Sequence, residues 1–198
     1  MSERVMRSDY MHWAKNQPPA RFNLGSSEVP HYRLDRLPIA IADLELDGAS
    51  RHRYLPLRQA IGDKYGVAPE GVVTADGTSM ANFLALATLI APGDEVLIEH
   101  PVYEPLLAAA GFLGARIKRF TRSSEEGFRL DPDAVAQALT PATRLVILTN
   151  LHNPSGVLID DATLKQVGEI ARRVGARVLV DEVYIETLFE DLPRTSFH

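Results

Sequence analysis

Two short apolar runs that end abruptly at polar residues constrain the fold of this chain more than any other feature. Leu145–Leu148 leads to the turn Asn153-Pro154-Ser155-Gly156, and Val178–Val180 leads to Asp181 and Tyr184. Continuous apolar runs without polar alternation are typical of parallel strands that are buried on both faces. In open α/β sheets, ligands bind just beyond the carboxyl ends of the strands. The pattern therefore predicts that Asn153, Asp181 and Tyr184 face one crevice.

Helices and strands alternate along most of the remaining chain. We predict strands at 72–74, 96–98 and 116–120, and helices at 58–65, 80–91, 102–112, 131–139 and 160–175. The mostly apolar helix 80–91 is expected to be buried on most sides. Residues 1–50 contain several prolines among charged residues and are expected to be irregular. The alternation predicts an α/β fold with a mainly parallel sheet flanked by helices.

Composition excludes several classes of function. The formal net charge of −5 and the pI near 5.7 argue against nucleic acid and acidic membranes as partners. The sequence contains no cysteine, so it offers neither a disulfide framework nor a thiolate zinc site. Its six histidines lack the spacing of a helical zinc-protease motif, and we predict no metal site. The N-terminus lacks the apolar core of a signal peptide, which makes a cytoplasmic protein the expectation.

Three short motifs each allow a structural and a functional interpretation. Gly77-Thr78-Ser79 lies between a predicted strand and a predicted helix, where it suits either an ordinary N-cap or a bound phosphate. Tyr103 follows a predicted strand, so it is either a core aromatic or a platform for a flat ring. Asp181-Glu182 resembles a magnesium-binding acid pair, but the phosphate-binding loop of nucleotide hydrolases needs a Gly-Lys dipeptide, which this chain lacks. The remaining interpretation is a carboxylate placed to pair with a ring nitrogen.

Taken together, the motifs form an ordered series: G-T-S at 77–79, P-V-Y at 101–103, N-P-S-G at 153–156 and D-E-V-Y at 181–184. This series resembles the class I/II aminotransferases, which are fold-type I enzymes that use pyridoxal 5′-phosphate (PLP). The resemblance covers about residues 20 to 198. It implies a PLP-dependent transferase large domain, incomplete at the C-terminus, with residues 1–50 forming an N-terminal arm and part of the small domain and 51–198 part of the large domain.

The resemblance also implies a role for each residue of the series. Gly77, Thr78 and Ser79 would hold the PLP phosphate, and Tyr103 would stack on the pyridine ring. Asn153 and Tyr184 would donate hydrogen bonds to the ring oxygen O3′. Asp181 would pair with the pyridinium nitrogen, so Asp181 and Tyr184 are the expected catalytic residues. Tyr54 would reach the phosphate in the partner subunit of a homodimer, and Gly25 would contact the substrate.

One feature of the family is missing from the sequence. The family's Schiff-base lysine lies in an S-x-x-K stretch after the D-x-x-Y motif, and none of the four lysines (15, 64, 118 and 165) has that context. We therefore expect the chain to be truncated before this lysine and, taken alone, to be inactive. The expected parent transfers an amino group between an amino acid and a 2-oxo acid. Alternatives are a related PLP enzyme (a C–S lyase, a decarboxylase or a cyclase) and a non-catalytic module with the PLP fold.

A final prediction concerns the backbone. The need to aim Asn153 and Tyr103 at one ring, together with the resemblance, predicts a cis peptide at Asn153–Pro154 and a second one at His100–Pro101. The cis form of an X–Pro bond costs only about 0.5–1 kcal/mol, so a folded site can hold it.

Overall fold

A computed structural model describes residues 6–23, 25, 31–44 and 54–189. Within these ranges the chain forms four strands, β1 Glu95–His100, β2 Arg116–Thr121, β3 Thr143–Thr149 and β4 Arg177–Asp181. The α-helices of the same ranges are α1 Asp9–Lys15, α2 Leu55–Tyr65, α3 Thr78–Leu89, α4 Glu104–Phe112, α5 Pro132–Ala138 and α6 Asp161–Arg173. Short 3₁₀ turns occupy Leu34–Arg36, Ile41–Asp43, Pro69–Gly71 and Ile185–Thr187.

The four strands form one parallel sheet in the order β2-β1-β3-β4. The middle residues of both central strands, Val96–Ile98 and Leu145–Leu148, are apolar and buried because helices cover both faces of the sheet. Val96 and Ile98 of β1 point into the same core as α3 and α4, whereas Leu97 points into the core formed with α5 and α6. The α/β fold with a mainly parallel sheet flanked by helices, predicted from the sequence, is therefore confirmed.

Local sequence signals explain where several helices begin and end. Asp131 and Asp160 cap α5 and α6, since their carboxylates accept hydrogen bonds from the amides of Asp133 and Thr163, both at 2.9 Å. Gly66 ends α2 in the left-handed conformation, with φ of 68°. These boundaries agree with the predicted ones to within a few residues.

The structure corrects three predictions about secondary structure. Residues 72–74 form no strand: the Val72 amide bonds to the carbonyl of Pro69, and its carbonyl accepts from Arg58 Nε at 2.8 Å. Helix α3 is not buried on most sides, because it packs on the sheet and α4 along one face only, and Leu86 is its one fully buried residue. Residues 1–50 are not wholly irregular, since Ser8 caps α1 by accepting from the amide of Met11 at 3.1 Å.

The described residues divide into two compact units. One comprises those within Met1–Trp13 and Thr74–His198, and it contains the whole sheet; the other comprises those within Ala14–Val73. In the second unit, Arg58 is 5% exposed and ties α2 to the turn Pro69–Gly71 through its bonds to the carbonyls of Pro69 and Val72. None of the helices in the described ranges is both long and apolar enough to cross a membrane.

Candidate functional site

The connections of the sheet reverse direction between β1 and β3. From β1 the chain crosses to β2 by way of α4, and it then returns past β1 to β3 by way of α5, on the opposite face. In doubly wound sheets, a ligand crevice forms beyond the carboxyl ends of the strands at such a reversal. The segments at this position are 101–103 after β1 and 150–156 after β3, with 181–184 at the end of the adjacent β4.

Asp181 ends β4 and is only 5% exposed. Its Oδ2 accepts a hydrogen bond from Asn82 Nδ2 at 2.7 Å, and its Oδ1 accepts from the amide of Val183 at 3.0 Å. Its backbone carbonyl accepts from the amide of Asn150 at 2.8 Å, which joins the ends of β3 and β4. Among the described residues, no cation forms an ion pair with this carboxylate. A buried carboxylate without a cation is costly, so this one suits a positively charged donor.

The start of α3 lies on the same side of the sheet as Asp181, since Asn82 in its second turn reaches that carboxylate. Gly77 precedes the helix with φ 80° and ψ 159°, a backbone region nearly restricted to glycine. No side chain among the described residues caps α3, so its first N–H groups remain available at Thr78 and Ser79. Such an end favours an anion because the unpaired amides and the helix dipole act together.

Tyr103 is half-buried between α1 and α3. Its ring meets that of Tyr10 edge to face, with 5.7 Å between centroids, and its hydroxyl donates to Met11 Sδ at 3.4 Å. Burial raises the pKa of the Tyr103 phenol, whereas a hydrogen bond with Ser79 lowers it. Electrostatic interactions with Tyr10, Tyr184 and Asp181 raise the same pKa.

His152 joins two of the site's loops. Its Nε2 lies 3.0 Å from the carbonyl oxygen of Pro101, and its Nδ1 lies 2.6 Å from Ser155 Oγ. A carbonyl only accepts, so Nε2 carries the proton and Nδ1 accepts from the serine hydroxyl. Burial lowers the pKa of His152 to about 4, and the imidazole is neutral near pH 7. His152 therefore has a structural hydrogen-bonding role between the two loops.

A buried ion pair lies beneath the same loops. Glu99 of β1 and Arg122, the residue after β2, are joined by Nη1–Oε2 at 2.9 Å, and both side chains are inaccessible to solvent. Glu99 Oε1 also accepts from the amide and the hydroxyl of Thr149, both at 2.6 Å. Burial raises the pKa of Glu99 and lowers that of Arg122, while their contact favours the charged forms.

The structure brings part of the predicted site together. Tyr103 is hydrogen-bonded to Ser79 of α3, and Asp181 is hydrogen-bonded to Asn82 of the same helix. Gly77 and Thr78 lie at the start of α3, and Asn153 and Tyr184 follow the carboxyl ends of β3 and β4. Gly25 and Tyr54 belong to the other compact unit, where Gly25 N donates to Asn23 Oδ1 at 2.9 Å and Tyr54 is 61% exposed. Their roles stay predictions.

Sequence reasoning missed Asn82, Glu99, Arg122 and Thr149 as parts of this region. Asn82 gave one signal, because it interrupts an otherwise apolar window four residues after Thr78, on the same helical face. The others gave none, since their partners are far away in sequence. Glu99 and Thr149, for example, are separated by 50 positions.

The backbone prediction is half right. His100–Pro101 is cis, as predicted, but Asn153–Pro154 is not among the cis bonds of the described residues. A proline only reduces the preference for trans and does not impose cis. The turn after β3 closes instead through the amides of Gly156 and His152, which donate to the carbonyls of His152 and Val157 at 2.7 and 2.9 Å. The second cis bond is Asn150–Leu151.

The groups at this site suit a flat ligand that carries both a phosphate and a protonated ring nitrogen, such as PLP. It offers a buried carboxylate for a ring N–H, a helix start for a phosphate, and an aromatic side chain for a ring face. Within the described ranges, no cluster of three or more histidine, aspartate or glutamate residues could hold a metal ion.

Comparison with known proteins gives a consistent result. The family model "Aminotransferase class I and II" matches residues 20–197. An arginine–pyruvate transaminase of Pseudomonas aeruginosa is 36% identical over 140 residues, which are 68% of this chain and 36% of that protein. A probable aspartate aminotransferase of Methanocaldococcus jannaschii is 31% identical over 180 residues, which are 85% of this chain and 47% of that protein.

Solved structures agree with the sequence comparison. An aspartate aminotransferase of Thermus thermophilus, crystallised with maleate, superposes with a TM-score of 0.67 at 27% identity, over 70% of this chain and 38% of that one. A PLP-dependent aminotransferase of Streptococcus suis gives a TM-score of 0.67 at 31% identity, over 72% and 38% of the two chains. The matched part of this chain therefore spans between about a third and a half of the length of these relatives.

Proposed function

The chain belongs to the class I and II aminotransferases, and on that premise we propose that its full-length protein transfers an amino group from an amino acid to a 2-oxo acid with PLP as cofactor. The family is PLP-dependent. The observation that carries the proposal is the Asp181 carboxylate, which is buried and oriented by Asn82 of α3 and by the Val183 amide. The bound cofactor supplies an electron sink for reactions at the α-carbon of an amino acid.

The side chains of this unit would divide the work of holding and tuning the ring. Asp181 would accept a hydrogen bond from the ring nitrogen and keep a proton there, because an opposite charge nearby favours the cationic form. Asn82 and the Val183 amide hold the carboxylate in place while it does so. Asn153 and Tyr184 would donate hydrogen bonds to O3′ and stabilise its negative charge.

In this proposal the start of α3 binds the phosphate. The amides of Thr78 and Ser79 and their two hydroxyls would hold it, and Gly77 lets the backbone turn into the helix. Tyr103 would cover one face of the ring, and its contacts with Tyr10 and Met11 would keep it in position. Gly25 would contact the substrate, a role that rests on the resemblance.

Amino-group transfer is favoured over C–S lyase, decarboxylase and cyclase chemistry because the relatives compared above are named as transaminases or aminotransferases. Those names include different amino acids, so we specify the substrates only by class, as an amino acid and a 2-oxo acid. We further propose a homodimer in which Tyr54 of each subunit reaches the phosphate site of its partner. The cytoplasmic location and the division into domains at residues 1–50 and 51–198 stay predictions.

The full-length protein, loaded with PLP, provides the test. It should convert a panel of amino donors and 2-oxo acid acceptors, and each 2-oxo acid formed should be matched by one new amino acid. Mass spectrometry of both products measures this balance. Release of ammonia, carbon dioxide or a thiol in amounts equal to the donor consumed would instead indicate one of the alternative chemistries. Binding of PLP without turnover of any donor would indicate a non-catalytic module.

A further inference from the structure

A chain of buried hydrogen bonds runs from the ion pair beneath the site to the turn that carries Asn153. Arg122 Nη1 donates to Glu99 Oε2 at 2.9 Å, and the Thr149 hydroxyl donates to Glu99 Oε1 at 2.6 Å. The same hydroxyl oxygen accepts from the amide of Asn153 at 2.8 Å. Glu99, Arg122 and Thr149 are 0%, 1% and 2% exposed, so water hardly competes for these bonds.

The direction of each hydrogen bond in this series is determined by the chemistry of the groups that form it. An arginine has only donors and an ionised carboxylate has only acceptors, so Glu99 must receive each bond that reaches it. The Thr149 hydroxyl has one proton, which it donates in its hydrogen bond to Glu99 Oε1. Its lone pairs are then left for a donor, and the donor present is the Asn153 amide. The hydroxyl is therefore oriented as an acceptor toward the turn.

Burial of an ion pair is not explained by stability alone. Well-packed apolar residues in place of such a pair are often as stable or more so, because desolvation of both charges is costly. Arg122 also leaves its Nη2 without a hydrogen-bond partner among the described residues, which adds to that cost. A buried polar network does, however, orient its members uniquely, and here it links the ends of β1, β2 and β3.

We propose that Thr149 is a positioning residue, oriented by Glu99 and Arg122, that holds the Asn153 turn in the conformation needed for Asn153 to donate to O3′ of PLP. The inference rests on the proposed function, since it assumes the role of Asn153 stated there. His152 holds the other side of the turn through Pro101 and Ser155, so the backbone around Asn153 is fixed from two directions. Thr149 acts through Asn153 and has no direct contact with the ring in this proposal.

The test uses the full-length protein with Thr149→Val and Thr149→Ser variants. Valine has nearly the shape of threonine and keeps the backbone bond to Glu99, but it loses the hydroxyl; serine keeps the hydroxyl. Two quantities are measured: the dissociation constant of PLP, and the pH midpoint at which the absorption of bound PLP titrates. Loss of donation to O3′ disfavours its negative charge, so the midpoint should rise in Thr149→Val by about one pH unit, a roughly tenfold change in proton affinity. Thr149→Ser should stay within about 0.3 unit of the unmodified protein.

A double-mutant cycle separates positioning from general stability. Asn153→Ala should raise the midpoint by itself, and Thr149→Val should add nothing further in that background, because its effect is transmitted through the Asn153 side chain. Additive shifts, or a Thr149→Val protein with a lower melting temperature and an unchanged midpoint, would overturn the proposal. An Asn153→Ala protein with an unchanged midpoint would instead refute the role of Asn153 in the proposed function.

A third variant covers the case in which valine leaves too little folded protein. Thr149→Cys has a thiol, which is a weaker acceptor than a hydroxyl. A smaller rise of the midpoint in the same direction would support the proposal, and no rise would overturn it. Hydrogen exchange of the Asn153 amide in the PLP-free protein gives a direct check, since exchange should accelerate in Thr149→Val and not in Thr149→Ser.

Discussion

At the scale of single residues, the charge of Asp181 is the property on which the proposed chemistry depends. Asp181→Asn keeps the shape of the side chain and removes the charge that would keep the ring nitrogen protonated. We expect kcat of the full-length protein to fall by about 10²–10³-fold, which corresponds to roughly 3–4 kcal/mol of lost transition-state stabilisation. Steady-state kinetics with the best amino donor measures the loss.

Asn82→Ala is the matched control for Asp181→Asn, because it removes a donor to the carboxylate and leaves the charge in place. A single hydrogen bond to a charged group contributes about 1.5–3 kcal/mol, so this variant should lose less activity than Asp181→Asn. Turnover of Asp181→Asn within a few-fold of the unmodified protein would show that the carboxylate has a structural role only.

His152 makes a prediction about pH. Its pKa is about 4 in the folded protein because the ring is buried, compared with 6.5 for an ordinary histidine. The unfolded chain therefore binds a proton between these values that the folded protein does not. The resulting stabilisation, on the order of 3 kcal/mol, is fully present above pH 6.5 and is lost as the pH falls toward 4.

Urea unfolding of the full-length protein without PLP at pH 7, 6 and 5 measures this loss. His152→Gln replaces the imidazole by an amide that can still hydrogen-bond but cannot titrate, so its free energy of unfolding should depend less on pH over this range than that of the unmodified protein. Parallel curves for the two proteins would contradict the assigned cause, since other groups would then account for the pH dependence.

At the scale of elements, the start of α3 illustrates how backbone conformation and ligand binding coincide. Gly77 adopts φ 80° and ψ 159°, and a Cβ added there would meet no atom within 4 Å. The cost of Gly77→Ala is therefore backbone strain of about 1–3 kcal/mol. We expect a lower melting temperature and weaker PLP binding, because relief of the strain moves the first amides of the helix.

Gly168→Ala is the matched control for Gly77→Ala. Gly168 lies inside α6 with no atom within 4 Å of an added Cβ, and it has no positive φ. Alanine is favoured over glycine in a helix by about 0.5–1 kcal/mol, so this variant should be slightly more stable and should bind PLP unchanged. Calorimetry and PLP titration of both variants separate strain from the simple addition of a methyl group. Equal effects of the two substitutions would argue against a special conformation at Gly77.

At the scale of the whole molecule, the proposed homodimer makes its two sites composite. If Tyr54 serves the partner's site, a Tyr54→Phe subunit and an Asp181→Ala subunit complement each other. In a mixed dimer, one site carries both defects and the other carries neither. Activity should therefore reappear when the two inactive proteins are mixed under conditions of subunit exchange, to as much as a quarter of the normal value per subunit, on the order of a statistical mixture.

Subunit exchange itself needs an independent measurement, for which native mass spectrometry of differently tagged subunits is suitable. Mixed dimers that form but remain inactive would show that each site is built from one subunit. A protein that stays monomeric at micromolar concentration in the presence of PLP would contradict the proposed assembly directly.

Local signals were sufficient to predict most of the helices and strands from the sequence. The apolar runs Leu145–Leu148 and Val178–Val180 located β3 and β4, although only the run in β3 is fully buried, because β4 lies at the edge of the sheet. Asp131, Asp160 and Gly66 located helix ends, because these signals act within a few residues. The order of the motifs at 77–79, 103, 153 and 181–184 then identified the family. The parallel sheet followed from alternation alone, since a parallel pair needs a crossover of the length available here.

Contacts between distant residues decided the rest. The sequence offers no way to pair Glu99 with Arg122 and Thr149, or Asn82 with Asp181, because the chain between them is long and the partners meet only when the sheet has formed. The strand expected at 72–74 fails for the same reason: an extended segment becomes a strand only if a neighbour accepts its hydrogen bonds, and Arg58 and Pro69 take those of Val72. Propensity and spacing act locally, whereas burial, pairing and the orientation of Asn153 are properties of the folded sheet.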